Sequence, residues 1–363
     1  MLPQPGAAGH GDGPKPVELV AKLLPFLPGK ELAQRHRCDV HAGSLAHLPH
    51  PPPTAIPAGV DTQVDRPRVC VVIPAYNAAA TIARAIASTR AQTPPPDEIL
   101  VVDDASTDAT AALAESLGAT TIRLPARAGA AAARNAGIAA ATGEVIAFQD
   151  ADDEWLPDKL LRQLPLLADA TFVACGAKLF AEDGTDLGPL YDGEIPMEGT
   201  DTWRGLLARN TIATPCVLAW RHELLAAGGF DPALPVGEDQ DLWIRLALRG
   251  RLRYVDAHLV RVHRTPISVS GVGTALGARQ QVQFTLPMVE RHIAAHRARL
   301  SAAEVKKIRG GRKLRIGRGA CWTGAWAEGA PLVLSAMLLG YRPLEGLRTL
   351  LATAPPVRWL LGR

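Results

Sequence analysis

Residues 69–104, VCVVIPAYNAAATIARAIASTRAQTPPPDEILVVDD, decide how this chain folds. Val69-Cys70-Val71-Val72-Ile73 is uniformly apolar and stops at Pro74, the pattern of a strand covered by helices on both faces. The Ala-rich run that follows predicts a helix over 79–91. Glu98-Ile99-Leu100-Val101-Val102 then gives a second strand, which ends in Asp103 and Asp104. This alternation is the signature of βαβ units around a parallel sheet.

The pattern continues outward. Ser106, Thr107 and Asp108 suit the start of a helix, 120–124 reads as a third strand, and 130–141 reads as an Ala-rich helix closing near Gly143. A fourth strand, 144–148, delivers Gln149-Asp150-Ala151-Asp152-Asp153, with a helix expected from about Glu154. In open α/β sheets ligands bind outside the carboxyl ends of the strands, and three strand ends place Tyr76/Asn77, Asp103/Asp104 and Asp150/Asp152 at that edge. Beyond Thr171, strands near 171–177, 215–220 and 253–255 and a helix over 241–249 predict a mixed, partly antiparallel half. From about Ala275 the pattern is helical, with Ser301-Ala302-Ala303-Glu304 as a capping-box start and Pro331, Pro343 and Pro355 as breaks. The expected organisation is an extension over 1–66, an α/β domain over 67–275 and a helical region over 276–363.

Composition bounds the function. The 363 residues are 47% hydrophobic and 21% charged, ordinary globular usage that excludes a disordered or fibrous chain. A net charge of +3 gives no reason to expect a nucleic-acid partner. Cys38, Cys70, Cys175, Cys216 and Cys321 are odd in number and widely spaced, which fits a reducing, cytoplasmic compartment rather than a disulfide framework or zinc site. The first residues carry no secretory pattern, and 330–339 falls well short of the roughly 20 residues a membrane-spanning helix needs. No oligomeric state is legible.

Several residues carry chemistry. Asp150 and Asp152, at alternate positions past a strand, suit a shared divalent cation with oxygen ligands, Mg²⁺ or Mn²⁺; an N-cap run ahead of Glu154-Trp155-Leu156-Pro157 is the alternative. Tyr76 can stack on a nucleobase while Asp103 or Asp104 accepts an imide N–H, or the two acids simply end a strand and open a turn. Arg134 and Arg127 can face phosphate at the same edge, or be solvated. Gly237-Glu238-Asp239-Gln240-Asp241 reads as an acidic helix start favoured by the macrodipole, or as a catalytic pair. The acid-free run of Lys306, Lys307, Arg309, Arg312, Lys313, Arg315 and Arg318 reads as a solvated helix face or as a peripheral contact with an anionic membrane surface.

Together, VCVVIPAYNAAATIARAI, DEILVVDDASTDAT, AAARNAGIAAATGEVIAFQDADDEWLPDKL and GEDQDLWIRLALRG resemble the family 2 glycosyltransferases over about 69–270, in order and with the family's spacing. The resemblance implies the GT-A fold, a mixed α/β sheet flanked by helices, and a nucleotide-diphosphate sugar donor, UDP-linked by default. It implies that Pro74, Tyr76, Asn77, Asp103, Asp104, Arg134 and Asp150 form the donor nucleotide site, Tyr76 packing on the base and Asp104 recognising it. It implies that Asp152, with Asp150 and His263, binds the metal, Mn²⁺ or Mg²⁺, and that Asp239 is the catalytic base of an inverting transfer. Glu238 and Arg261 fall on the acceptor and phosphate side. The acceptor implied is a glycan or lipid-linked glycan of cell-surface polysaccharide synthesis.

Ala75 departs from the small hydroxyl residue often found at its place in the family. The absence of a Gln-x-x-Arg-Trp string points to single additions rather than processive synthesis. A sugar nucleotidyltransferase is the alternative, but PAYNAAAT is not its Gly-rich loop. A noncatalytic sugar-nucleotide-binding protein would not need Asp104, Asp152 and Asp239 together.

Overall fold

The computed structural model describes residues 66–191, 198–264 and 274–354, all within one compact unit spanning 55–363. Apart from Arg66, the expected extension over 1–66 lies outside these residues, as do Cys38 and Pro355.

The predicted alternation is present as β1 (Val69–Ala75), α1 (Ile82–Arg90), β2 (Glu98–Asp103), α2 (Thr110–Ser116), β3 (Thr120–Arg123), α3 (Ala130–Ala140) and β4 (Val145–Phe148). The second half comprises β5 (Glu154–Trp155), α4 (Lys159–Gln163), β6 (Phe172–Phe180), β7 (Asp186–Pro189), α5 (Thr202–Ala208), β8 (Leu218–Trp220), α6 (Arg221–Ala226), α7 (Glu238–Arg249) and β9 (Leu252–His263). One nine-stranded sheet results, in the order β3-β2-β1-β4-β8-β6-β9-β5, with β7 paired to β6. β1 to β4 pair in parallel, whereas β8 is antiparallel to both β4 and β6. Val69 through Ile73 are all 0% exposed, as a strand covered on both faces requires. α3 lies against β1 because residue 137 is glycine: a Cβ there would collide with Val72.

Two sequence expectations fail for tertiary reasons. No helix begins at Glu154. Instead Glu154 and Trp155 pair with Arg261 and Val260 of β9, and the Trp155 indole is buried and donates to the Pro215 carbonyl at 3.0 Å. Burial of that ring and the pairing outweigh the local N-cap signal, and α4 starts only after Pro157. The third late strand is far longer than 253–255, because β9 runs beside β6 in parallel to its end.

The remaining chain is helical: α8 (Ala275–Gln280), a π turn (Gln281–Thr285), α9 (Leu286–Ala295), α10 (Ala302–Trp322), α11 (Trp326–Leu338) and α12 (Pro343–Thr353). The capping box forms, with Ser301 and Glu304 bonding each other's backbone N–H. Pro343 opens α12 at a position where a missing N–H costs nothing, but Pro331 lies inside α11 and does not break it.

The basic run on α10 is largely engaged within the fold. Arg312, 5% exposed, donates to the Leu206 and Leu207 carbonyls, Arg315 to Ala208, and Lys313 to Ser335. Arg309 pairs with Glu290 at 2.6 Å and Arg318 with Glu345; Lys306, Lys307 and the Ala208-bound Arg315 are its exposed cations. α10 is thus a strut holding α5 rather than a free charged face.

Candidate active site

The first two strand ends are stitched together. Asn77, in the left-handed region at φ 48°, donates its backbone N–H to Ser106 Oγ at 3.0 Å, and its side-chain oxygen accepts from Thr107 N at 2.9 Å. Asp108 accepts from Ala79 N at 3.1 Å and Thr110 N at 3.0 Å, so it braces the start of α2 without occupying the cap position, which is Ala109. Pro74 sits in register with Val102 at the end of β1. Beyond it Tyr76 is 38% exposed, with the Arg127 guanidinium 4.0 Å from its ring centroid. Arg127 therefore lies beside Tyr76 at the same sheet edge.

The adjacent acids differ. Both Asp104 oxygens accept backbone N–H bonds, from Ala128 at 2.6 Å and Gly129 at 2.8 Å, and so fix the start of α3. Asp103 is 4% exposed; one oxygen accepts Ser106 N at 3.3 Å, and the other has no hydrogen-bond partner among the described residues.

One turn into α3, Arg134 joins the two halves of the molecule. Its guanidinium bonds Asp150 at 2.8 Å and Glu238 at 3.0 Å, from a position only 6% exposed. A lone arginine on an Ala-rich helix is thus the buried clamp of the site rather than a solvated residue. Burial opposes its charge, but Asp150 and Glu238 outweigh that and hold its pKa above the usual value.

At Asp152 the pull of Arg84 and Arg134 is outweighed. Burial, and then the Asp150 carboxylate, push its pKa up to about 6. Burial followed by Asp150 and Asp152 raises Asp153 as well, while its carboxylate accepts His263 N at 3.1 Å. His263 packs beside Asp153 and Glu154, its ring nitrogen 3.7 Å from the Glu154 carboxylate; burial lowers its pKa, with Arg84 adding to the effect. Arg84 caps the turn by donating to the Asp152 carbonyl at 2.6 Å. Arg261 reaches Glu154 at 3.4 Å and does not join the Arg134 cluster.

α7 brings Asp239. Gly237 precedes it at φ 81°, and Glu238, Asp239 and Asp241 fill its first turn, so the macrodipole reading is also correct. Trp243, one turn on and on the same face, is 0% exposed and packs 6.1 Å from Phe148 and 6.0 Å from Phe172, which docks that face onto the sheet. The Asp239 carboxylate accepts from Asn210 Nδ2 at 2.8 Å and Gln240 N at 2.6 Å. Burial, and then Glu238, raise its pKa to about 7. Asp241 turns the other way, to Arg245 at 2.7 Å and His292 at 2.8 Å, and ties α7 to α9.

Asn210 and Arg84 were not singled out in the sequence. One lies in an irregular loop and the other is an ordinary helical arginine, and no motif marks either. Among the described residues no three His, Cys, Asp and Glu side chains gather as a complete metal site would require. The half-buried, mutually repelling Asp150 and Asp152 nevertheless fit a hard cation that takes its other ligands from water and phosphate oxygens.

Residues 70–227 match the family described as Glycosyl transferase family 2. A putative teichuronic acid biosynthesis glycosyltransferase of Bacillus subtilis is 37% identical over 197 residues, 52% of this chain and 75% of the relative. A succinoglycan biosynthesis protein of Rhizobium meliloti is 48% identical over 134 residues, but the match spans only 36% of this chain and 38% of that protein. Among solved structures, a mannosyltransferase from Pyrobaculum calidifontis in complex with GDP-Man and Mn²⁺ superposes with a TM-score of 0.53 at 22% identity, over 82% of this chain and 84% of that one. That likeness bears on the fold alone, and it agrees with the GT-A architecture expected. With the strand-end acids in place and three quarters of the Bacillus subtilis relative matched, the chain belongs to glycosyl transferase family 2.

Proposed function

We propose that the chain transfers single sugars, with inversion, from a nucleotide-diphosphate sugar to a hydroxyl of a glycan or lipid-linked glycan during polysaccharide synthesis at the cytoplasmic face of the membrane. The observation that carries the reading is the buried Arg134 clamp, which ties Asp150 to Glu238, the neighbour of a carboxylate raised to about 7. Relatives named for teichuronic acid, succinoglycan and amylovoran biosynthesis support the acceptor class.

In this reading the base packs on the Tyr76 ring in place of the Arg127 guanidinium that now lies over it, and the unpaired Asp103 oxygen accepts an imide N–H such as that of uracil. Asp103, rather than the fully engaged Asp104, thus recognises the base. A Mn²⁺ or Mg²⁺ ion held by Asp150 and Asp152 would supply positive charge against the donor diphosphate. Asn210 and the Gln240 N–H hold the Asp239 carboxylate in place. Asp239 takes the proton of the acceptor hydroxyl as its oxygen bonds to the anomeric carbon; the bond from that carbon to the diphosphate oxygen breaks, and the electron pair leaves with the nucleotide diphosphate. A pKa near 7 leaves this base about half ionised in neutral solution and basic enough to accept a proton.

A screen of nucleotide sugars with Mn²⁺ or Mg²⁺, scoring nucleotide diphosphate release on transfer, tests the reading. Asp152→Ala is expected to lose cation-dependent donor binding. Asp239→Asn is expected to keep donor binding and lose about 10²–10⁴-fold in transfer. Equal transfer by both variants and the wild type would overturn the assignment.

A further inference from the structure

The last two described helices are built inside out. α12 packs through Gly346, Thr349 and Thr353, all buried, while Leu344, Leu347 and Leu351 on the opposite face are 72%, 45% and 59% exposed. Residues at 344, 347 and 351 repeat at i, i+3 and i+7, so they form one stripe, and the small residues that pack form another about half a turn away. α11 repeats the arrangement. Its exposed positions Ala327, Pro331, Leu334 and Leu338 recur at helical spacing without a polar residue among them, with Leu334 48% and Leu338 90% exposed. A helix covered only by water places leucines inward and polar groups outward. Five exposed leucines on consecutive helices are therefore a surface that expects a partner.

The charge around the stripe identifies that partner. From 331 to 363 the sequence holds one acid, Glu345, against four arginines, Arg342, Arg348, Arg358 and Arg363. Glu345 is itself engaged by Arg318 and Arg342. Arg348 is exposed within the leucine stripe, and the exposed Lys306 brings its ammonium to the turn at Gly340 between the two helices. Beyond α12 the sequence continues Val357-Arg358-Trp359-Leu360-Leu361, again apolar and basic. Leucines ringed by cations match an anionic lipid surface, where acyl chains take the leucines and headgroups take the charge. Among the described residues no helix is long and apolar enough to cross a membrane, so the contact is a lateral one.

We infer that the α11–α12 hairpin is a peripheral membrane-docking surface that lies on anionic bilayers through Leu334, Leu338, Leu344, Leu347 and Leu351. This deepens the lipid-linked acceptor reading, since docking would hold the enzyme where such an acceptor is found. Its test does not depend on that reading, because it needs neither donor, cation nor acceptor.

The test is cosedimentation of the full chain with vesicles of phosphatidylcholine alone or mixed with phosphatidylglycerol, alongside a Leu338→Ser/Leu344→Ser/Leu347→Ser/Leu351→Ser variant and Arg348→Glu. All five positions are exposed, so the far-UV spectrum and thermal transition of both variants should match the wild type. The wild type is expected to bind the anionic vesicles, the leucine variant to bind at least about tenfold less, and Arg348→Glu to lose mainly the preference for anionic over neutral vesicles. A wild type that binds neither vesicle, or a leucine variant that binds as well as the wild type, overturns the proposal. So does light scattering in which the leucine substitutions convert a dimer to a monomer while vesicle binding is absent, which would make the face an interface between copies.

Discussion

The acids that follow β2 and those that follow β4 are the same residue type at the same sheet edge, yet their electrostatic situations are opposite. Asp104 and Asp108 each accept two backbone N–H groups, so the chain supplies what their charge needs. Around Arg134, by contrast, Asp150, Asp152, Glu238 and Asp239 crowd about a single buried guanidinium, and the pKa values of Asp152, its neighbour Asp153 and Asp239 all rise. Burying carboxylates without matching positive charge is costly, and a fold keeps such a cluster only where something else completes it. Asp103 apart, the first loop is finished by the protein. Under the proposed function the second is finished by the cation and donor, which would separate a positioning element from a reacting one.

The comparison breaks most visibly at Arg134. If it is the one buried cation holding the second cluster, Arg134→Met leaves the half-buried Asp150 and Glu238 unpaired, a loss of about 2–4 kcal/mol in unfolding free energy, below that of a fully buried pair. Urea denaturation measures this. Mn²⁺ should recover part of the loss in the variant, since an added cation replaces some of the missing charge. A variant within about 0.5 kcal/mol of the wild type would mean that the acids are solvated and that the two loops do not differ as described.

Asp239 gives the next effect. A base must be ionised to accept a proton, so a pKa raised to about 7 predicts activity that is flat at high pH and falls as pH drops below 7. At pH 5 transfer should be about a hundredfold below the plateau, tenfold for each unit beneath the pKa. Rate profiles at saturating donor and cation measure this. An inflection near 4, the ordinary carboxylate range, would show that burial and Glu238 do not act on the base.

How far the sequence foretold this contrast depends on whether the signal was local. The strand ends were legible because β1, β2 and β4 announce themselves by apolar runs, and the residue after each run lies at the sheet edge whatever else the chain does. The catalytic role proposed for Asp239 rests on resemblance, since an acidic helix start has a structural explanation that the structure bears out. What stayed hidden depended on distant partners. Trp155 becomes a strand residue because of β9, Arg134 is a clamp because Glu238 lies 104 positions away, and Asn210 reaches Asp239 from a loop without pattern. The basic run on α10 misled for the same reason: a sequence of cations does not disclose that Leu206, Leu207, Glu290 and Glu345 wait to receive them.

Asp104 offers the smallest effect and the sharpest separation of the two loops. Asp104→Asn keeps the shape but leaves one acceptor oxygen for two N–H donors, so a side-chain NH₂ must face the N–H of Ala128 or Gly129. The expected cost is about 1–2 kcal/mol, since charge-assisted bonds are roughly twice as strong as neutral ones and one donor is lost outright. Because Asp104 acts by fixing the start of α3, its loss should lower stability and displace Arg134 while leaving nucleotide selectivity unchanged. Calorimetric titration with UDP and GDP distinguishes this from a base-reading role: a change in the ratio of the two affinities would assign the base contact to Asp104, whereas a common weakening of both would leave it with Asp103, whose free oxygen faces no donor of the protein's own.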